Sequence, residues 1–213
     1  MVKYEGAEHY LPGHEDLRSL REAARGCRGC DLYQDATQTV FGAGPADARL
    51  VMVGEVPGDR EDRTGEPFVG PAGGLLDRAM EEAGIDRGTV YVTNAVKHFR
   101  FTPAERGKRR IHKKPSRSQI VACRPWLVAE LSAVTPEVVV CLGATAAQAL
   151  LGPEFRVSTQ RGELLDPLGE ELAAAPRVLA TAHPSSVLRA PEEDREQAYR
   201  QLVTDLHEVA RAL

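Results

Sequence analysis

Cys27 and Cys30 enclose Arg28 and Gly29, and this C-x-x-C spacing brings two thiolates to one metal ion or cluster. A third thiol, Cys123, stands far downstream at the start of an amphipathic pattern, and a four-ligand site then needs one more donor. His98, just past an apolar run, is the candidate; the competing reading is a surface histidine in a basic loop. Three thiolates and an imidazole suit zinc or an iron–sulfur cluster, and spacing does not choose between them. Cys141, inside the apolar run VVVCLG, reads as a core thiol.

Two glycine-rich segments suit a polar ligand. GEVPGD at 54–59 supplies two carboxylates, Glu55 and Asp59, on a turn whose N–H groups can face a bound molecule. GEPFVGPAG at 65–73 then opens a helix whose N-terminus favours an anion. Phe68, flanked by turn residues, is a poor core residue but a good face on which to stack a base. A tight strand-to-helix turn would need no ligand at all.

Charge is unevenly spread. The chain carries a net charge of −4, yet residues 97–117 hold nine cations (Lys97, Arg100, Arg106, Lys108, Arg109, Arg110, Lys113, Lys114, Arg117) against the single anion Glu105. A basic strip on an acidic body localises a polyanion to one place; the bland alternative is a solvated loop.

The elements that must position these groups alternate in type. Residues 48–55, 89–96, 137–143 and 177–184 read as buried strands, and 15–25, 70–83, 116–134, 144–151 and 195–212 as helices. That alternation predicts an α/β fold with a central, mostly parallel four-stranded sheet. At 213 residues, with 42% hydrophobic and 27% charged content, one domain with a full core is expected. Glu55, Asn94, Gly143 and His183 stand at or near strand ends, where open α/β sheets bind ligands. No leader-like segment begins the chain, and the longest apolar run, 138–151, is broken by Gly143, Thr145 and Gln148. A cytoplasmic, non-membrane protein is expected, and four cysteines there do not imply disulfides.

GEVPGD, GEPFVGPAG, TNAVKH, the C-x-x-C pair and HPSSVLR together resemble family 4 uracil-DNA glycosylases across roughly residues 27–189. The insert Lys108-Arg109-Arg110-Ile111-His112 is similar to that of the UdgX branch. The resemblance implies a single-domain three-layer uracil-DNA glycosylase-like sandwich, a basic loop insert at about 99–117, and a 4Fe-4S cluster on Cys27, Cys30, His98 and Cys123. Most of the wider family carries cysteine where His98 stands. It further implies that uracil is read by Asn94, Phe68 and the backbone of Val56, and that His183 steadies the leaving base. Ser185, Leu188 and Arg189 would press into DNA, with Lys108, Arg109 and Arg110 on phosphate or steadying the loop. His112 would bond to C1′ of the sugar, assisted by Glu55, with Asp59 the second catalytic carboxylate.

One position departs from the branch pattern: Val56 stands where glutamine is typical, so a side-chain hydrogen bond is lost while the backbone N–H remains. The implied partners are uracil-containing DNA, preferentially single-stranded, and free uracil, acted on by a monomer. Turnover glycosylase chemistry releasing an abasic site, and a non-enzymatic metal-bearing nucleic-acid binder, are the competing functions.

Overall fold

Alternation along the strands sends successive side chains into two different cores. The computed structural model describes residues 4–14, 16–103, 110–165, 172 and 175–213. In chain order the elements are α1 (Leu17–Ala24), β1 (Leu50–Gly54), α2 (Asp59–Thr64), α3 (Pro71–Glu82), β2 (Val90–Asn94), β3 (Phe101–Pro103), β4 (Arg110–His112), α4 (Arg117–Val134), β5 (Val138–Leu142), α5 (Ala144–Leu151), α6 (Val157–Gln160), β6 (Leu164–Leu165), β7 (Arg177–Thr181), α7 (Pro184–Leu188) and α8 (Glu192–Ala212). Val51, Val53, Val139 and Cys141 face Leu20, Trp126, Leu127 and Leu131, on α1 and α4. Leu50, Met52, Val138 and Val140 face Leu76, Met80, Leu202 and Leu206, on α3 and α8. Helices therefore cover both faces of the sheet, which is why its strands read as continuous apolar runs. Cys141 is a fully buried core thiol, its pKa pushed up to about 12 by burial.

The sheet order is β2-β1-β5-β7-β6, parallel from β2 through β7. The expected four strands are all present, and the fifth, β6, is an antiparallel two-residue edge too short to leave a periodic signature. Because β1 pairs with both β2 and β5, the topology reverses between β1 and β5, and a crevice opens beyond their carboxyl ends. A second feature is new: β3 and β4 form a small antiparallel hairpin that pairs Phe101 with His112. Among the described residues no helix is long and apolar enough to cross a membrane.

Helix α4 is anchored at its start. Ser116 caps it by accepting from Gln119 N–H at 3.3 Å, and the Gln119 side chain accepts from Ser116 N–H at 2.9 Å. The Gln119 amide donates to Asp31 at 2.8 Å, tying the helix to the residue after Cys30.

Candidate functional site

A cleft of about 390 Å³ opens at the carboxyl ends of the strands, lined by Val56, Asp59, Phe68, Asn94, His112, His183, Ser185, Leu188 and Arg189 among others. A larger cleft of about 530 Å³ lies at the opposite end of the sheet, beside Leu50 and Thr89, but brings no histidine, cysteine or aromatic ring together. Close approach at Gly54 builds the first cleft's floor. A β-carbon there would collide with the Asn94 carboxamide oxygen and sit 2.7 Å from Phe68 Cζ, so glycine lets amide and ring close over the strand end. Phe68 takes a φ of 59°, a left-handed conformation costly for an aromatic residue. Helix α3 holds it there: the Phe68 carbonyl occupies the space a β-carbon on Gly73 would need.

His183 lies two residues past β7, as the N-cap of α7 rather than as a strand residue. Its Nδ1 accepts from Ser185 N–H at 3.1 Å, which leaves the ring hydrogen on Nε2. Burial, with Arg189 and His112 nearby, lowers its pKa to about 4, so at neutral pH it is an uncharged N–H donor. Its ring stacks towards Phe68 at 6.3 Å between centroids and 25° between planes.

His112 closes β4 at the exposed rim of the cleft, its ring 6.1 Å from that of Phe99. Desolvation lowers its pKa; Glu55 and Glu61 oppose the shift and Arg189 adds to it. Glu55 thus lies within electrostatic reach of His112, and its Oε1 is buried with no hydrogen-bond partner among the described residues. Leu188 and Arg189 are exposed at the mouth.

Two expected site residues are held by the protein itself. Arg110, expected on phosphate or steadying the loop, commits its guanidinium to the protein: Nε pairs with Asp59, Nη1 donates to Asp62 at 2.5 Å, and Nη2 donates to the Asp59 carbonyl at 3.2 Å. It also packs 5.2 Å and 5.0 Å from the Phe99 and Phe101 ring centres. Asp59, expected as a catalytic carboxylate, is held by Arg110 and by Arg63; burial alone would raise its pKa, but the two guanidinium groups keep it below the ordinary value. Lys108 and Arg109 lie outside the described residues.

The cysteines converge elsewhere. Cys27, Cys30 and Cys123 are all buried, as is His98. Burial pushes the Cys30 thiol up to about 11 and that of Cys123 up to about 12, and the three sulfurs influence one another electrostatically. Trp126 Nε1–H donates to Cys27 Sγ at 3.2 Å and Lys97 N–H to Cys123 Sγ at 3.3 Å, donors that suit ligated thiolates. Burial lowers the His98 pKa to about 4, against an opposing pull from Asp62, so the ring is a neutral donor. Among the described residues no three His, Cys, Asp or Glu side chains converge as tightly as a single ion requires. A four-iron cluster spreads its ligands over several irons, and this donor set fits it.

The family model described as "Uracil DNA glycosylase superfamily" matches residues 41–207, which carry every cleft residue named above. The chain belongs to that superfamily. It is similar to the type-4 uracil-DNA glycosylases of Thermotoga maritima (35% identical, covering 93% of this chain and 94% of the relative) and Archaeoglobus fulgidus (35%, covering 88% and 92%). A type-5 uracil-DNA glycosylase of Pyrobaculum aerophilum is 30% identical over 79% of this chain and 75% of the relative.

Several residues of this superfamily member escape sequence reasoning. Glu61 bridges the two glycine-rich segments, accepting from Gly58 N–H at 3.1 Å and Gly70 N–H at 2.8 Å. Its position three residues after Gly58 is a capping signal. Lys97, counted with the basic strip, is fully buried and paired with Glu130. Its ammonium also donates to Thr93 Oγ1 at 2.7 Å and the Asn94 carbonyl at 2.8 Å, filling all three donor positions. The strip is therefore not one continuous phosphate-facing surface.

Proposed function

We propose that this chain excises uracil from DNA and then retains the deoxyribose through a bond between His112 and C1′. The observation that carries the reading is the meeting of Phe68, Asn94, His183 and His112 around one cleft. Type-4 relatives at 35% identity support the excision step; the bond to His112 rests on the cleft alone.

A deoxyuridine turned out of the stack would place its base against Phe68, with the Asn94 carboxamide offering one donor and one acceptor to its O4 and N3–H. Cytosine presents the reverse pattern there. Val56 is buried at this wall and contributes only its backbone N–H. As the C1′–N1 bond breaks, its electron pair leaves with uracil and positive charge develops on the sugar. The neutral His183 Nε2–H then donates to uracil O2, where the negative charge gathers.

An unprotonated nitrogen of His112 attacks C1′, forming the new C–N bond, and the ring's other N–H gives up its proton to Glu55 or solvent. The departing uracil takes a proton from water. Arg110 acts here as a positioning residue, pinning β4 to α2 so that His112 meets the cleft, and Asp59 acts through it. Leu188 and Arg189 at the mouth are suited to a base step and a phosphate, and Ser185 fixes the His183 ring. An acidic body with a dense run of cations on the single strip 97–117 favours single-stranded DNA. A 4Fe-4S cluster held by Cys27, Cys30, His98 and Cys123 would act structurally, ordering the segments that bracket the hairpin.

One observation favours a second reading. The buried Glu55 Oε1, without a hydrogen-bond partner among the described residues, is an acceptor suited to a water molecule, which would complete the reaction by hydrolysis and release an abasic site. Incubation with a labelled uracil-containing single strand, followed by heat, detergent and a denaturing gel, separates the two. A retarded band absent with a thymine control supports the bond to His112. Alkali-labile breakage without that band supports turnover.

A further inference from the structure

The cluster reading leaves one atom to be assigned, the nitrogen of His98 that meets iron. A neutral imidazole has one N–H and one lone pair, so whatever partners one nitrogen decides the role of the other. Thr39 Oγ1 lies 3.0 Å from His98 Nε2 and 2.9 Å from the Ala24 carbonyl oxygen. The hydroxyl has a single hydrogen. Pointed at Nε2, it would leave Oγ1 and the Ala24 oxygen facing each other lone pair to lone pair. Pointed at the Ala24 oxygen, it leaves Oγ1 free to accept from Nε2–H. Only the second arrangement satisfies all three atoms.

We infer that Thr39 holds His98 as the Nε2–H tautomer, which makes Nδ1 the atom offered to iron and Thr39 a positioning residue for the cluster. This inference rests on the cluster reading above. The Ala24 oxygen also accepts from Cys27 N–H at 3.1 Å. One carbonyl at the end of α1 thus joins the turn that presents Cys27 to the hydroxyl that orients His98. Outer-sphere partners of this kind fix ring orientation and raise the basicity of the ligating nitrogen. A thiolate in place of His98 has no second ring atom to orient, so it gains nothing from Thr39.

The test measures iron and acid-labile sulfide per chain, and the lifetime of the visible absorbance under a chelator, in the full-length protein. Thr39→Val is expected to shorten that lifetime by roughly tenfold or more. Thr39→Ser keeps the hydroxyl and is expected to restore it, and Thr39→Val placed on His98→Cys is expected to change nothing further. An unchanged lifetime in Thr39→Val overturns the inference, as does equal damage on the His98→Cys background, which would make Thr39 a packing residue. Pulsed paramagnetic resonance of the reduced wild-type cluster, with histidine isotopically labelled at Nδ1 alone, reads the ligating atom directly. The larger coupling at the label supports Nδ1, and the larger coupling at Nε2 overturns it. A wild-type chain without iron and sulfide would defeat the cluster reading itself, before any variant is compared.

Discussion

Arg110 lays its guanidinium on the fully buried carboxylate of Asp62, 2.5 Å away, across a sequence separation of 48 residues. His112 follows two positions later on the same short strand and shares with Arg110 the ring of Phe99. The contact therefore fixes where the imidazole stands. Arg110→Met should slow formation of the His112 adduct by roughly a hundredfold, because a displacement of about 1 Å in a reacting group costs that much. Uracil release, which on the proposed reading needs His183 and Asn94, should fall far less. Parallel time courses of the gel-shifted adduct and of free uracil check this; equal losses in both would sink the positioning role.

His112→Ala should abolish the heat-stable adduct while still releasing uracil, since departure of the base does not need the nucleophile to stay bonded. On the proposed reading the reactive form of His112 is uncharged, and its pKa lies below the ordinary histidine value. The midpoint of the acid decline in adduct formation should therefore fall below pH 6.5. A rate that halves at the ordinary histidine value would contradict that environment.

His183 links folding to pH with a definite sign. Its pKa is about 4 in the folded chain against 6.5 for a free histidine, so the unfolded chain binds the extra proton first. Its contribution is complete above pH 6.5 and is lost as pH falls towards 4, on the order of 3 kcal/mol in all. Denaturant midpoints for wild type and His183→Gln, compared across that interval, should converge as the solution is acidified. A constant difference would rule the linkage out.

Gly54→Ala should strike the proposed base pocket directly. The added carbon meets the Asn94 amide and the Phe68 ring, both parts of the cleft wall. Affinity for free uracil, measured by calorimetry, should drop at least tenfold, while overpacking at this buried strand end costs about 1 to 3 kcal/mol of stability. Unchanged uracil binding would show that the two side chains give way.

The Lys97–Glu130 pair is buried at both ends. Lys97→Met alone leaves a buried carboxylate without its countercharge and should cost about 3 to 5 kcal/mol. Adding Glu130→Met should recover much of that, and urea midpoints of the single and double variants measure the difference. No recovery would mean that the remaining partners of the network, Tyr91, Thr93 and Gly42, dominate.

What was legible in the sequence follows from how local each signal is. The four long strands are apolar on both faces, and the helices beside them keep a helical period, so both are readable from a dozen neighbouring residues. His183 and Asn94 stand out as polar groups at the ends of apolar runs. The partners of Arg110 and Lys97 do not, because a cation in a basic run looks solvated until the chain brings Asp62 or Glu130 against it. Thr39 escapes for the same reason, since its meaning depends on Ala24 and His98 together. Strand β6 is missed because two residues hold no period.

Phe68 is locked before any base arrives. Its left-handed backbone is wedged by the closeness of Gly73, so the main chain beneath the ring has already surrendered its freedom when the chain folds. On the proposed reading an incoming nucleotide would meet a backbone already set and lose mainly its own entropy on docking. Relaxing that wedge would make the encounter depend more on temperature, as ring and base would then have to become ordered in the same step.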